Sequence, residues 1–134
     1  MAAIDAERAL ALVDVPFRPQ GRDEQGLDCV GLCLAAFGLP LEIARRDYRL
    51  RGHYRGEITT ALLRRFRRIS QRQQRPGDLL LLAVAPDQIH LAVRTRAGFV
   101  HADARLRRVV ETPGAPEWPL VGVYRRRVRR MKGQ

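Results

Sequence analysis

The chain changes its hydrophobic period at Pro76-Gly77-Asp78, and this change constrains the fold more than any other feature. Before it, apolar residues recur at helical spacing in residues 3–13, after Asp28 and in Glu57–Ile69. After it, short extended segments are predicted at Asp78–Val84, Ile89–Thr95, Phe99–Ala102, Arg107–Glu111 and Val121–Val128. Short turn-like segments separate these strands, so most neighbours are expected to pair antiparallel. Helices followed by a meander of about five strands predict an α+β fold.

A chain of 134 residues is long enough for one domain with its own core, and we assign residues 1–128 to it. The basic segment 129–134 has little to bury and is expected to be a frayed tail. The N-terminal residues include Asp5, Glu7 and Asp14 and no basic leader segment, so no signal peptide is expected. No uncharged apolar run approaches transmembrane length.

The formal net charge of +11 favours anionic partners, which are nucleic acid, anionic cell-wall polymers or acidic protein surfaces. All of the 25 basic residues except Lys132 are arginines, which reflects genome composition at least in part. Arg64–Arg68 is expected to be the solvated face of a helix. Because few aromatic residues are interleaved with the arginines, nucleic acid is the least favoured of these partners.

The segment that begins at Asp28 is predicted to be a helix with a cysteine at its first position. Asp28 is a favourable N-cap, Gly38 is a natural C-terminal stop, and Pro40 prevents the helix from resuming. Cys29 therefore lies at the positive end of the helix dipole, beside unpaired N–H groups, and we expect its thiol pKa to be lowered.

The second cysteine, Cys33, follows one helical turn later and is expected to fill the core. A disulfide between the two thiols is disfavoured by geometry, and no second ligand pair completes a metal site. We therefore predict reduced thiols, no bound metal and no cofactor.

Two of the three histidines lie on neighbouring predicted strands, His90 near the start of one and His101 near the end of the next. If an even-length turn near residues 96–98 joins the strands, the two imidazoles share one sheet face and one can orient the other. A nucleophilic cysteine needs a base of this kind, held by a further polar group. His53, in an arginine-rich irregular segment at 39–56, is expected to be a surface residue.

These motifs, in this order, resemble the NlpC-type cysteine peptidases, papain-like enzymes that cut peptidoglycan stem peptides. The matching segments are Asp28-Cys29-Val30-Gly31-Leu32, Pro76-Gly77-Asp78, Ile89-His90-Leu91-Ala92-Val93 and Phe99-Val100-His101-Ala102. The resemblance implies that Cys29 is the nucleophile, His90 the general base and His101 the third, orienting residue. It also implies that Asp28 helps to fix the free amino end of the substrate.

Two positions near the expected substrate site depart from the pattern of the family. The family usually has a tyrosine whose hydroxyl assists at the oxyanion, where this chain has Phe17. It commonly has serine after the cysteine, where this chain has Val30. One oxyanion donor contributes about 3 kcal/mol of transition-state stabilisation, so its loss slows a peptidase without abolishing activity.

The resemblance implies hydrolysis of a γ-D-glutamyl bond to a diamino acid in peptidoglycan stem peptides. The compact form is most like the small peptidases of phage tails and gene-transfer agents. Such a protein is made in the cytoplasm, docks on tail proteins and opens the wall in the periplasm during DNA delivery. Two further hypotheses are a catalytically weak or inactive structural protein of a tail tip and, third, a basic nucleic-acid-binding module.

Overall fold

The computed structural model describes residues 2–19, 21–23, 25–39, 64–85 and 88–127. Helices α1 and α2 span Ala2–Ala11 and Cys29–Ala36, and a short hairpin of β1 (Arg22–Asp23) and β2 (Gly26–Leu27) lies between them. Six further strands follow: β3 (Phe66–Ile69), β4 (Leu79–Ala85), β5 (Gln88–Arg94), β6 (Gly98–Asp103), β7 (Arg108–Pro113) and β8 (Leu120–Arg126). A 3₁₀ turn at Gln71–Gln73 links β3 to the strands that come after it.

The six long strands form one antiparallel sheet in the order β3-β8-β4-β5-β6-β7. This arrangement confirms the predicted α+β class, and the five predicted strands correspond to β4–β8. No helix in the described part of the chain is both long and apolar enough to span a membrane.

The sixth strand, β3, corrects the predicted helix over Glu57–Ile69, at least at its end. Phe66–Ile69 pairs with β8, and residues 57–63 lie outside the described residues. Phe66 packs edge-to-face on Phe37 at 4.9 Å between ring centroids, whereas Ile69 joins the apolar cluster on the other side of the sheet. A spacing of three places two residues on one helix stripe but on opposite faces of a strand, and burial on both faces favours the strand.

The sheet is buried on both faces, and each face has its own apolar cluster. On one face, Leu91, Val93 and Val100 pack with α2, whose residues are almost all buried. On the other face, a smaller cluster contains Ile69, Leu80, Leu82, Ala92, Phe99 and Val123, with Trp118 and Leu120 at its border.

The Pro-Gly-Asp segment anchors the start of β4 through a buried carboxylate. Asp78 is completely buried and accepts hydrogen bonds from the Arg125 guanidinium at 2.8 and 2.9 Å and from the Arg75 N–H at 2.9 Å. This pairing raises the pKa of Arg125 above its ordinary value. The segment therefore fixes β4 against β8 and holds no position in the candidate site.

Three of the predicted features fall outside the described ranges. They are the surface position of His53, most of the irregular segment 39–56, and the frayed tail 129–134. The assignment of residues 1–128 to one domain likewise stays a prediction.

Candidate active site

The first element of the site is the start of α2, which begins at Cys29 as predicted. Asp28 is the N-cap: its extended backbone turns the chain into the helix, and its carboxylate accepts from the Gly31 N–H at 2.8 Å. The Cys29 side chain is 1% exposed, and both cysteines are free thiols. The cap fixes the thiol at the helix end that faces β5.

The second element is the β5–β6 hairpin, whose strands separate toward one end. Only Val93↔Val100 and Arg94↔Phe99 pair, next to the turn, whereas β6 and β7 pair over their whole length. This register confirms that His90 and His101 lie on the same sheet face, on the stretches where the strands have separated. The gap leaves room between the strands for a group that reaches in from α2.

The two imidazoles form a hydrogen-bonded pair. His90 Nε2 lies 2.9 Å from His101 Nδ1, and His101 Nε2 lies 3.3 Å from Thr112 Oγ1 on β7. The two rings are nearly perpendicular, at 89°, and Trp118 contacts both edge-to-face at centroid distances of 5.7 and 5.8 Å. These contacts fix the planes of both rings and leave Nδ1 of His90 outside the pair.

A cavity of about 650 Å³ brings the thiol and the imidazoles together. Its lining includes Cys29, His90 and His101, although strand alternation places both imidazoles on the face opposite α2. The Leu91 backbone N–H hydrogen bonds with the Cys29 thiol, so the thiol reaches the cavity at the separation of β5 and β6.

The prediction of a lowered thiol pKa at Cys29 is wrong. Burial, with a smaller contribution from the Asp28 carboxylate, raises the pKa of Cys29 to about 12. The backbone N–H groups of Leu91, Val30 and Cys29 act in the opposite direction, as expected of a helix start, but desolvation is larger. The Cys29 thiol is therefore protonated at neutral pH.

The pKa values of both imidazoles are lowered, which favours their neutral forms. Burial lowers the pKa of His90 to about 4, with a further lowering from His101, and Asp103 opposes the shift. Burial also lowers the pKa of His101, again against Asp103. At neutral pH a neutral thiol and a neutral imidazole pair therefore line one cavity.

The remaining predicted site residues fall in two groups. Phe17 lines the cavity but has no hydroxyl group to offer to it. Asp28 and Val30 are not part of the lining: Asp28 is buried as the helix cap, and Val30 is completely buried in the core. Cys33 is also completely buried, as predicted.

Sequence reasoning missed Asp103, Thr112 and Trp118, all of which line the cavity. Asp103 follows His101 by two positions on β6, so strand alternation alone could have placed it on the same face. Thr112 and Trp118 come from β7 and from the segment before β8, and nothing in their local sequence shows the register that brings them to the histidines.

Two charged side chains complete the chemistry of the cavity wall, Arg105 and Glu117. Among the described residues, no group of three or more His, Cys, Asp or Glu side chains could hold a metal ion.

Comparison with solved structures identifies the fold. NlpC1 from Trichomonas vaginalis matches at a TM-score of 0.67 and 16% identity, over 93% of this chain and 43% of that protein. The NlpC/p60 domain of the peptidoglycan hydrolase SagA matches at 0.58 and 22% identity, over 84% and 89% of the two chains. The P60 domain of an M. avium subspecies paratuberculosis antigen matches at 0.61 and 19% identity, over 93% of each.

The chain has the NlpC/P60 fold. It spans less than half of the Trichomonas NlpC1 and NlpC2 proteins, 43% and 46% of their lengths. Identities below 25% extend the likeness to the fold and no further. No protein-family model matches the sequence, and no curated protein matches it.

The raised thiol pKa predicts how Cys29 reacts with an alkylating agent. In a Cys33→Ala variant, the rate constant for iodoacetamide should lie below that of N-acetylcysteine at pH 7 and rise about tenfold per pH unit up to about pH 10, because only the thiolate reacts. Mass spectrometry of the modified peptide gives the rate. A plateau below about pH 8 would show that the thiolate already exists in the free protein and would contradict the effect of burial.

Proposed function

We propose that the protein is a cysteine peptidase that hydrolyses amide bonds in peptidoglycan stem peptides. The observation that carries this proposal is that Cys29, His90 and His101 line the same cavity on an NlpC/P60 fold. A thiol and an oriented imidazole are the two groups that nucleophilic amide cleavage requires. SagA, whose NlpC/p60 domain shares the fold, is a peptidoglycan hydrolase, which supports this substrate class.

The protonation states favour general-base attack over a preformed ion pair. As Cys29 Sγ attacks the carbonyl carbon, His90 Nδ1 takes the thiol proton, and the backbone N–H of Cys29 donates to the oxyanion. The imidazolium then gives its proton to the leaving amine, the C–N bond breaks, and a thioester remains. Water attacks the thioester while His90 takes a proton from it, and return of that proton to sulfur releases the carboxylic acid product.

The proposed bond joins γ-D-glutamate to a diamino acid, as the resemblance to the NlpC-type peptidases implies. Asp28 caps the helix and does not line the cavity. We therefore assign binding of the free amino end of the substrate to the carboxylates that do line it. Those carboxylates are Asp103 and Glu117, and Arg105 is available to a substrate carboxylate.

The two cysteines provide a matched test. Cys29→Ala should abolish hydrolysis of a stem peptide containing γ-D-glutamyl-diaminopimelate, because no other group on the cavity wall replaces the nucleophile. Cys33→Ala removes the same atom one helical turn away and should retain hydrolysis, with some loss of stability. Release of the amine product measures the rate, and circular dichroism checks the fold. Equal loss in the two variants, both folded, would refute Cys29 as the nucleophile.

A catalytically weak protein of a tail tip is the second candidate, and two observations favour it. Phe17 leaves the cavity without the hydroxyl that the family usually places there, and burial keeps the Cys29 thiol protonated. Both reduce the rate of acylation without changing the fold.

Restoring the hydroxyl separates the two candidates. Phe17→Tyr should raise kcat/KM for the same peptide at least about tenfold, because one oxyanion donor contributes about 3 kcal/mol. Phe17→Leu, which restores no hydroxyl, is the control. Absence of hydrolysis in both the native protein and Phe17→Tyr would favour the structural role.

We further propose that the protein docks on tail proteins of a phage or gene-transfer agent and opens the wall locally in the periplasm. Support comes from the resemblance and from a basic patch on the β3–β8 edge of the sheet. Arg67 pairs directly with Arg125, and the Arg127 N–H donates to the Arg65 carbonyl, so four arginines lie on adjacent cross-strand positions. Asp78 already neutralises Arg125, whereas Arg65, Arg67 and Arg127 are exposed. An acidic partner surface would neutralise these three charges.

This patch replaces the arginine-rich helix face expected at Arg64–Arg68, since β3 is a strand. The Arg65→Ser/Arg67→Ser double variant should co-purify with tail particles less than the native protein does, and it should hydrolyse the stem peptide at the native rate. The difference in co-purification should be largest at low salt and shrink as salt rises, because salt screens the attraction that the variant lacks. Arg96→Ser, an exposed arginine at the β5–β6 turn, is the control. Unchanged co-purification would place the docking surface elsewhere.

A further inference from the structure

The histidine pair continues to a hydroxyl group on β7. Thr112 lies directly opposite Phe99 in the β6–β7 ladder, which puts it diagonal to His101 on the same face. Its Oγ1 is 3.3 Å from Nε2 of His101, and that Nε2 belongs to a residue only 3% of whose surface is exposed. His90, His101 and Thr112 thus form a row on the wall of the cavity that Cys29 also lines.

The number of protons in this row decides whether His90 can act as a base. Between Nε2 of His90 and Nδ1 of His101 only one proton fits when both rings are neutral. If His90 carries it, Nδ1 of His90 is bare and can take a proton from the thiol, and His101 must then carry its own proton on Nε2. If His101 carries it on its own Nδ1, the His90 proton lies on Nδ1 of His90, and that nitrogen can no longer accept a proton from the thiol.

The charged pair requires the same arrangement at its far end. After the thiol proton has been taken, either ring can carry the positive charge, and in both cases His101 bears a proton on Nε2. His101, which bears that N–H, is 3% exposed, and its ring contacts Phe99 and Trp118 at centroid distances of 5.0 and 5.8 Å. A buried N–H on a cationic ring is costly without an acceptor.

We propose that Thr112 is a positioning residue whose hydroxyl accepts from His101 Nε2–H and thereby keeps Nδ1 of His90 bare for the thiol. This inference rests on the proposed peptidase function and adds a fourth member to its site. The hydroxyl proton is free to rotate, so the oxygen is presented to the imidazole as an acceptor in both the neutral and the charged state.

The other charged and titratable groups around the pair do not occupy this position. They are Cys29 from α2, Asp103 and Arg105 from β6 and the turn after it, and Glu117 from the segment before β8. The Asp103 carboxylate accepts from the backbone N–H groups of Arg105 and Leu106 at 2.8 and 3.0 Å, which ties it to the β6–β7 turn. Asp103 acts on the imidazoles by its charge, and Thr112 acts by direct contact.

The experiment compares Thr112→Val, which has nearly the same shape without the hydroxyl, with Thr112→Ser, which retains it. Thr95→Val is the control, because Thr95 also hydrogen bonds through its hydroxyl, to Glu111 and the Gly98 N–H, but lies at the turn of the hairpin. The first readout is histidine ¹⁵N NMR, which reports the protonated nitrogen of each ring and its titration without any substrate. The second is the pH profile of kcat/KM on the stem peptide.

We expect the native protein to carry protons on Nε2 of both His90 and His101. In Thr112→Val, His101 should shift toward the Nδ1–H form, the midpoint of the pair should move to lower pH because the imidazolium loses its acceptor, and kcat/KM should fall at least about tenfold. Thr112→Ser should restore all three values, and Thr95→Val should change stability alone.

Two results would overturn the inference: an Nδ1–H tautomer at His101 in the native protein, or a Thr112→Val variant with native tautomers and a native pH profile. The tautomer of His101 is measured on the native protein, so the proposal can be refuted even if Thr112→Val does not fold. Failure of the peptidase function is seen separately, since a protein that never hydrolyses the peptide still reports its tautomers by NMR.

Discussion

The site depends on the place where β5 and β6 stop pairing. Beyond Val93↔Val100 the two strands separate, and this separation does three things at once. It exposes the Leu91 N–H to the thiol, it opens the cavity between His90 and His101, and it lets α2 reach the face of the sheet that it does not cover. A hairpin paired to its end would place sheet backbone between the Cys29 thiol and the two imidazoles.

Desolvation is the dominant electrostatic effect in this site. The helix start supplies N–H groups that favour a thiolate, but the thiol is buried and Asp28 adds a negative charge nearby, so the neutral form prevails. The same burial keeps the imidazoles neutral. A neutral pair can still catalyse acyl transfer if the proton moves as the bond forms, and this makes the tautomer of His90 more important than its charge.

The elements that depend on local chemistry could be predicted from sequence, and those that depend on long-range pairing or burial could not. The cap at Asp28 and the shared face of His90 and His101 follow from residue types and spacing, and both are present. The prediction of a third helix was wrong at its end because the apolar residues there fit both the helical and the strand period. Pairing with β8 makes this segment a strand. Thr112 and Trp118 reach the histidines through strand register, which no local sequence pattern encodes.

The prediction of the thiol pKa was wrong for a related reason. The helix dipole can be predicted from the first helical residue, whereas burial depends on every element packed around the thiol.

The composition of the row from His90 to Thr112 weighs against a purely structural role. Placing two imidazoles beside Phe99 and Trp118 is costly, because burial removes part of the hydration of their polar nitrogens. Burial also lowers both imidazole pKa values, so the folded state loses stability as the pH falls below the ordinary histidine value toward about 4, where His90 takes up its proton. Apolar side chains of similar volume would fill the same space without that sensitivity. A hydrogen-bonded polar row retained under these costs is better explained by the proposed peptidase chemistry than by packing.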